Sequence, residues 1–342
     1  MPAGWGRGEP PAPQNFAAAA LISFGLGGAI SMPSTEPRSA FSEGVPDRRR
    51  RRKERKGEIM DPREAIEKLD LFGYCIIENL LSAEQAIQLE QAFCEQHQEP
   101  AYEPWKSVEQ WNGSEYLYET LYGLLLREQR SWEIVGHPLV LEVARHFIGA
   151  DAFIAQDLGG TKWNKPGSSS AGSVHVDDGR FFVPPLPEMP CMINTMWMIS
   201  DFTVENGATR IAPFSHKARQ LPPPYVRSTD PFMIPAAGPR GSLLMWHGNT
   251  WHAQAANTTA DSQRLSINLS YRPAWWNHPK RASHDDPGGG LHPVPALPLE
   301  LYEGMDPELQ RLVRYCVGTH TSLPPAENEI VAPHAPGDGA RR

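Results

Sequence analysis

The chain has 342 residues, of which 40% are hydrophobic and 34 are prolines, and it carries a formal net charge of −8. A chain of this length holds one large domain, or one domain with appendages, and its apolar fraction is sufficient for a core. The proline count favours many loops and short strands and argues against a helical bundle. No segment of the sequence is long and apolar enough to cross a bilayer as a helix, so a helical membrane protein is excluded.

The cysteines are scattered along the chain, and no two of them have the spacing of a zinc site or of a redox motif. They are Cys75, Cys94, Cys191 and Cys316. We therefore expect reduced thiols in a cytoplasmic protein.

The net charge is distributed unevenly. Residues 1–59 contain ten basic and six acidic residues, a net charge of +4, so the remainder carries −12. The basic excess lies in RRRRRKERK, residues 48–56. Such a run is typical either of a patch for nucleic acid or a membrane surface, or of a disordered, solvated segment. Because the rest of the chain is acidic and repels phosphates, we favour the solvated segment and expect neither a nucleic-acid nor a membrane partner.

The first 59 residues lack the pattern of a folded domain. Residues 16–30, FAAAALISFGLGGAI, resemble the apolar part of a secretion signal, but only Arg7 precedes them and the strong positive charge follows, which is the wrong order. The codons for residues 56–58, KGE, can contain a bacterial ribosome-binding sequence at a suitable distance before Met60. We therefore interpret this segment as a disordered or non-native leader and Met60 as the true start.

The domain organisation follows from these composition changes. We predict a leader over residues 1–59, one folded domain over residues 60–325 and a flexible tail over residues 326–342.

Helical patterns dominate the first part of the folded region. Asp61 is a candidate cap and Gly73 a stop for the first helix, and Ser82 with Gln85 forms a capping-box pattern before the second. The helices are predicted at 61–73, 82–97, 114–129 and 137–149, and a late one at 306–318.

From residue 151 onwards the sequence favours strands separated by loops rich in Gly, Pro, Asn and Ser. The strands are predicted within 152–164, 191–200, 241–246 and 264–273. The predicted fold class is therefore mainly β with flanking helices, in which the helices pack outside an antiparallel barrel or sandwich.

His175 and Asp177 stand two residues apart in SVHVDDGRFF, residues 173–182. On a strand, residues i and i+2 point to the same face, so this imidazole and this carboxylate converge on one point. Such a triplet alone is a weak signal. A second one, His284-Asp285-Asp286, lies among glycines and a proline, and we interpret it as a surface loop.

Downstream residues make the first triplet the stronger candidate for a metal site. A facial site of two histidines and one carboxylate leaves three positions of Fe(II) open, two for a bidentate 2-oxo acid and one for O2. Both His247 and His252 are candidates for the second histidine. Arg264 opens a predicted strand, and its two-pronged guanidinium suits the far carboxylate of 2-oxoglutarate. A strand, a turn and a returning strand would place Arg264 beside the metal.

Four stretches in order resemble the phytanoyl-CoA dioxygenase-like family of Fe(II)/2-oxoglutarate-dependent oxygenases, over residues 60–273. The first, second and fourth of these stretches are similar, respectively, to the family's opening segment, its proximal metal motif and its distal motif. The third in chain order, residues 196–217, departs from the family by having Phe214 where Gly is usual. The stretches are LDLFGYCIIENLLSAEQ, HVDD, MWMISDFTVENGATRIAPFSHK and GSLLMWHGNTWHAQAANTTADSQR.

This resemblance implies a double-stranded β-helix, the cupin-like jelly roll. It implies that His175, Asp177 and His252 bind Fe(II), that Arg264 binds the far carboxylate of 2-oxoglutarate, and that O2 is the second cosubstrate. Within the family pattern, His252 and not His247 is the ligand. The implied activity is hydroxylation with release of succinate and CO2. Family halogenases have a small residue in place of Asp177, so the carboxylate favours hydroxylation or a related oxidation.

Several other residues are candidates for the site. Gln254 would share a strand face with His252, where it either binds 2-oxoglutarate or is an ordinary polar strand residue. Thr195 and Trp197 either line the cofactor pocket or pack in the core. His216 is interpreted as a turn-stabilising histidine. The remaining candidates for a substrate site, or equally for the core, are Trp246, Trp251, Trp275 and Trp276.

Two other classes of protein fit part of this pattern. One is a jelly-roll protein that binds a metal without redox chemistry, which has no need for an anchor such as Arg264. The other is an inactive family member that acts as a binding module, against which the complete triad argues. The charge of −12 disfavours an anionic CoA ester, so we expect a small metabolite or a natural-product intermediate as the substrate.

Overall fold

A computed structural model describes residues 59–111, 115–154, 159–168, 173–276 and 297–317, with backbone alone for residues 107–111, 115–117 and 276. The predicted leader up to residue 58, the second triplet His284-Asp285-Asp286, the tail 326–342 and the side chain of Trp276 lie outside the described residues. Within the described part of the chain, no helix has the length and apolarity that crossing a membrane requires.

The helices of the described residues lie mostly before the sheets in the chain. They are α1 Pro62–Phe72, α2 Ala83–Gln98, α3 Leu124–Arg127, α4 Ser131–Val135, α5 Pro138–Ile148, α6 Leu299–Glu303 and α7 Pro307–Val313. The strands are β1 Tyr74–Ile77, β2 Lys106–Trp111, β3 Glu115–Tyr122, β4 Phe153–Ile154, β5 Gly160–Asn164, β6 Ile193–Met198, β7 Arg210–Ile211, β8 Ile234–Pro235, β9 Leu243–His247, β10 His252–Ala253 and β11 Arg264–Arg272.

The caps predicted for the first two helices are confirmed. Asp61 Oδ1 accepts a hydrogen bond from the Arg63 amide at 2.7 Å, and α1 ends at Gly73 with φ of 83°. Ser82 and Gln85 form a reciprocal capping box at the start of α2. The helix predicted over 137–149 is also confirmed as α5.

The prediction of a helix over residues 114–129 is wrong. Residues 115–122 form β3, which pairs with β2 and β5, and only the short α3 follows. Gly123 has φ of 71° and separates the two elements. Pairing with two neighbouring strands provides hydrogen bonds and buried contacts that outweigh the local helix preference of this leucine-rich segment. The late helix is shorter than predicted, since α7 passes into a 3-10 turn at Arg314.

Two antiparallel sheets form the body of the domain. The order of the large sheet is β1-β9-β6-β11-β5-β3-β2, with β4 pairing with β11, and the order of the small sheet is β10-β7-β8. The order along each sheet differs from the order along the chain, and the strand hydrogen bonds are antiparallel throughout. This is the jelly roll that the sequence predicted, with the helices on one outer face.

The large sheet separates two apolar layers. Ile193 and Trp197 of β6 pack with the helices in the larger cluster. Met196 and Met198, on the opposite face of the same strand, pack with Ile211 of the small sheet in the second cluster. Alternate residues of β6 therefore belong to different layers, as strand geometry requires. The space between the sheets receives the even-numbered side chains of β6, β9 and β11.

A buried pair of histidines joins the end of α1 to the end of β9. His216 Nε2 donates to the backbone carbonyl of Asp70 at 2.9 Å, and His247 Nδ1 accepts from the Asn249 amide at 3.1 Å. The two ring centroids are 5.1 Å apart. Burial lowers the pKa of both residues, that of His247 to about 3. His216 thus has the turn-stabilising role that the sequence indicated.

We expect Gly241→Ala to destabilise the protein far more than Gly149→Ala. Both glycines have positive φ, but a Cβ on Gly241 would lie 2.2 Å from the Leu81 carbonyl oxygen, whereas nothing lies within 4 Å of a Cβ on Gly149. The backbone conformation costs about 1 kcal/mol in both variants, and the clash adds about 2 kcal/mol or more at Gly241. Urea denaturation measures both losses, and equal losses would contradict this account.

We also expect the metal-free protein to lose stability as the pH falls below about 6.5. An unfolded histidine binds a proton near that pH, whereas folded His247 resists protonation down to about pH 3. Between the ordinary histidine pKa and about pH 3 the unfolded state therefore binds more protons than the folded state. Each histidine of this kind then lowers the free energy of unfolding by about 1.4 kcal/mol for each unit by which the pH falls. The slope of unfolding free energy against pH should be smaller in His247→Gln than in the wild type. An unchanged slope would contradict the assignment.

Candidate metal centre

The backbone brings His175 and His252 together. The His175 amide donates to the His252 carbonyl, and the His252 amide donates to the His175 carbonyl, both at 3.0 Å. The two residues therefore form one antiparallel bridge between the segment before the 3-10 turn and β10. Asp177 continues this alignment, since its amide donates to the Gly248 carbonyl at 3.0 Å.

Three side chains converge at this bridge. Their candidate ligand atoms all lie within 4.8 Å of one another. His175 Nε2 is 3.7 Å from Asp177 Oδ1, and His252 Nε2 is 3.4 Å from Asp177 Oδ2. Within the described residues, this is the one group of three or more metal-ligating side chains that lie this close. We refer to His175, Asp177 and His252 as the triad.

Backbone carbonyls orient both imidazoles. His175 Nδ1 donates to the Ser173 carbonyl at 2.9 Å, and His252 Nδ1 donates to the Thr250 carbonyl at 3.0 Å. A proton held on Nδ1 leaves the lone pair on Nε2, which is the arrangement of a metal-binding histidine. Both Nε2 atoms face the carboxylate of Asp177.

The electrostatics of the triad also suit a metal. Burial, together with the neighbouring His252, lowers the pKa of His175 to about 4. Burial by itself would raise the pKa of Asp177, but His252, His175, Arg180 and the hydrogen bond from Trp246 together outweigh it, and the pKa is lowered. At neutral pH the triad therefore offers a neutral imidazole at His175 and an ionised carboxylate at Asp177, the forms that bind metals.

The second aspartate of the HVDD motif does not join the triad. Asp178 is fully buried, its Oδ2 accepts from the Cys191 amide at 2.9 Å, and burial raises its pKa to about 7. It lies against Gly248, where an added Cβ would come within 2.4 Å of Oδ1. Asp178 thus packs beneath the turn that carries Asp177.

Arg264 is a buried cation between the two sheets, with 1% of its surface exposed. Its Nη1 donates to Thr209 Oγ1 at 3.0 Å and its Nη2 donates to Gln254 Oε1 at 2.8 Å. Its Nε has no hydrogen-bond partner among the described residues, and no described carboxylate forms an ion pair with it. Burial lowers its pKa to about 10, so it remains charged.

The route by which Arg264 reaches the triad differs from the predicted one. We expected a strand, a turn and a returning strand, but β10 belongs to the small sheet and β11 to the large sheet. Arg264 therefore extends from one sheet to the other and contacts Gln254, which lies two residues after His252. Gln254 itself lies just after β10, which ends at Ala253, so the arginine contacts the segment that follows this strand.

Strand alternation places the alternative histidine away from the triad. Trp246 donates from Nε1 to Asp177 Oδ2 at 3.2 Å, so it points between the sheets. His247, the next residue, points to the opposite face, where its ring meets that of Phe147 on α5. His252 is therefore the histidine that the fold brings to His175.

The same alternation decides between the two interpretations of Thr195 and Trp197, and neither residue lines the site. Thr195 lies between Asn194 and Met196 on β6 and faces the helices, where its hydroxyl donates to the Leu269 carbonyl at 3.2 Å. Trp197 packs in the core on that same face. Thr195 therefore does not face the triad, and its neighbour Asn194 does.

Asn194 and Thr209 were not identified from the sequence, and the hydrogen bond of Trp246 to the triad was not foreseen. Asn194 Nδ2 donates to Asp177 Oδ2 at 2.7 Å, Trp246 donates to the same oxygen, and Thr209 contacts Arg264. Trp246 had been considered only as a possible substrate or core residue. The alternation of side chains along β6 could have identified Asn194. If Trp197 lies in the core, residues at an odd spacing from it, such as Asn194, point to the opposite face of the sheet.

A family model described as phytanoyl-CoA dioxygenase (PhyH) matches residues 69–265. Dioxygenase aneA of Aspergillus aculeatus is 28% identical over 193 residues, which cover 54% of this chain and 60% of that protein. Dioxygenase andF of Emericella variicolor is 25% identical over 190 residues, with the same coverage of 54% and 60%. The crystal structure of the non-heme alpha ketoglutarate dependent epimerase SnoN from nogalamycin biosynthesis is 18% identical, with a TM-score of 0.49 and coverage of 62% of this chain and 81% of that chain.

These alignments span about three-fifths of the length of the curated relatives. The family model spans more than half of this chain, and its range includes the triad and Arg264. The resemblance inferred from four sequence stretches is therefore confirmed. On this evidence the chain belongs to the phytanoyl-CoA dioxygenase family.

Proposed function

We propose that this protein is an Fe(II)- and 2-oxoglutarate-dependent dioxygenase that hydroxylates a small-molecule metabolite or natural-product intermediate and releases succinate and CO2. The observation that carries the proposal is Arg264, a buried cation without a described counter-ion that contacts the residue two positions after His252. A metal-binding jelly roll without redox chemistry has no use for such a cation. A dicarboxylic cosubstrate supplies the missing negative charge.

The triad fits Fe(II). Two imidazole nitrogens and one carboxylate oxygen are the donor set of the facial site that holds non-heme iron and leaves three positions open. His175, Asp177 and His252 would hold the metal, and their Nε2 and carboxylate atoms are already within reach of one another. Bound iron supplies the oxygen chemistry that no side chain can perform.

The pocket around Arg264 fits the far carboxylate of 2-oxoglutarate. The guanidinium presents donors in a planar fork that matches a carboxylate. Thr209 contributes a hydroxyl on one side of the fork, and Gln254 contributes an amide on the other. Because Arg264 is buried, with 1% of its surface exposed, a carboxylate bound to it interacts more strongly with the cation than it would in water.

Exposure of the triad indicates the direction from which a substrate approaches. The side chain of His175 is 38% exposed and that of His252 is 8% exposed. The open side of the triad is thus at His175, and the buried histidine is His252, which lies two residues before Gln254, the partner of Arg264. The cosubstrate would occupy the closed side, and the organic substrate would enter over His175.

The overall reaction balances without further reagents. O2 delivers one oxygen atom to a C–H bond of the substrate and the other to 2-oxoglutarate, which becomes succinate and CO2. Asp177 supports an oxygenation of this type, since its carboxylate occupies the position that halide would need. The acidic charge of the chain after residue 59, −12, favours a substrate without several negative charges.

The first test is a titration of metal-free protein with Fe(II) and 2-oxoglutarate without oxygen. We expect a weak visible charge-transfer band in the wild type and, after O2 is admitted, formation of succinate. His175→Ala should lose both, because one of three ligands is removed. His146→Ala replaces an exposed histidine of α5 and should match the wild type. Metal binding without any effect of 2-oxoglutarate would instead support a jelly roll without redox chemistry.

The second test compares buried Arg264 with half-buried Arg127. Arg264→Met should weaken 2-oxoglutarate binding by about 100-fold, as expected from loss of a charge-assisted pair of about 3 kcal/mol, and should leave metal binding intact. Arg127→Met is the control, because Arg127 donates to two backbone carbonyls, Thr161 and Gln96 and so supports the fold.

The two variants should also differ in stability, and here Arg127→Met should be the more strongly affected of the two. Arg127→Met leaves several buried acceptors unpaired and should lower the free energy of unfolding by about 3 kcal/mol or more. Arg264→Met removes a desolvated charge without a counter-ion and should have the smaller effect. Calorimetric 2-oxoglutarate binding and thermal unfolding measure the two properties. Unimpaired 2-oxoglutarate binding in Arg264→Met would contradict the assigned role.

A further inference from the structure

The carboxylate of Asp177 depends on other side chains for its orientation. His175 and His252 are fixed to each other by their backbone bridge. Asp177 lies beyond that bridge, immediately before the 3-10 turn Asp178–Arg180. Its main chain is held by Gly248, but the rotation of its carboxylate is set by whatever binds the two oxygens.

One oxygen of Asp177 is already occupied. Asn194 Nδ2 donates to Oδ2 at 2.7 Å, and Trp246 Nε1 donates to the same atom at 3.2 Å. An ionised carboxylate oxygen has about two lone-pair sites, so these two donors use the hydrogen-bonding capacity of Oδ2. Neither donor engages Oδ1, which remains available.

The donors belong to one row across the large sheet. Ser270 of β11 is the register partner of Asn194 on β6, and Asn194 is the register partner of Trp246 on β9. Ser270 Oγ donates to Asn194 Oδ1 at 2.5 Å. Because the amide oxygen is engaged by Ser270, the amide presents its NH2 group to Asp177. We call Ser270, Asn194 and Trp246 the supporting row.

We propose that Asn194, oriented by Ser270 and assisted by Trp246, is a positioning residue that reserves Asp177 Oδ1 for the metal and prevents the carboxylate from binding through both oxygens. The inference rests on the proposed function and deepens it. A carboxylate that bound through both oxygens would occupy one of the positions that the cosubstrates need. The supporting row thus preserves the open positions of the site, although none of its members is a ligand.

The same strand provides a matched control. Thr195 follows Asn194, is fully buried and donates to the Leu269 carbonyl, but it faces the helices. Thr195→Val removes a buried hydrogen bond from β6 without touching Asp177. A variant of Asn194 that acted only by loosening the strand would resemble this control.

The experiment is a titration of metal-free protein with Co(II), a probe whose visible spectrum reports the number and geometry of its ligands. Asn194→Leu should weaken Co(II) binding by about 10- to 100-fold and change the spectrum. Asn194→Gln, which keeps an amide, should recover part of the affinity. Ser270→Ala should change both properties in the same direction but by less. Thr195→Val should match the wild type, and thermal unfolding of each metal-free variant checks the fold.

The outcomes separate the two proposals. Wild-type affinity and an unchanged spectrum in Asn194→Leu, while His175→Ala fails to bind Co(II), would overturn the positioning role and leave the proposed function intact. Failure of the wild type to bind Co(II) would overturn both. If Asn194→Leu does not fold, the Ser270→Ala variant provides the test of the positioning role. An unchanged Co(II) spectrum and an unchanged Co(II) affinity in that variant would overturn the role.

Discussion

The alternation of side chains along three paired strands of the large sheet determines where the parts of the site lie. Because β6 and β9 pair in register, Asn194 and Trp246 face the small sheet together, and their neighbours Thr195 and His247 face the helices. A shift of one residue in either strand would exchange these two sets. Burial of Trp197 among the helices opposes such a shift. The packing of the core therefore also maintains the polar face of the site.

The two sheets make different contributions to the site. The segment before the 3-10 turn and β10 of the small sheet carry the triad, and their backbone bridge sets the distance between the two histidines. The large sheet carries Asn194 on β6, which donates to Asp177, and Arg264 on β11, which donates to Gln254 just after β10. The site therefore exists only where the sheets face each other, and loss of packing between them would separate the ligands from their supporting residues.

Sequence reasoning located the triad and Arg264 because those residues carry unusual chemistry at a spacing that the family resemblance makes specific. It could not place Thr195, because assigning a strand residue to one of two faces requires knowing which neighbours are core, and β6 is buried on both faces. It also mistook β3 for a helix, since the pairing of β3 with β5 is a long-range contact that local preference does not contain. Asn194 went unnoticed, as an asparagine in an apolar strand has no distinctive spacing of its own.

Arg264 illustrates how the chain retains a charge that folding alone would not favour. A guanidinium buried without a described counter-ion weakens the folded state, since its hydration is lost and only neutral groups replace it. Arg127, by contrast, is half-buried and donates to four acceptors from other parts of the fold. The proposed binding of a dicarboxylic cosubstrate at Arg264 would account for the difference, because the missing partner would then arrive from solution. A cosubstrate bound only by the folded state would also stabilise the domain.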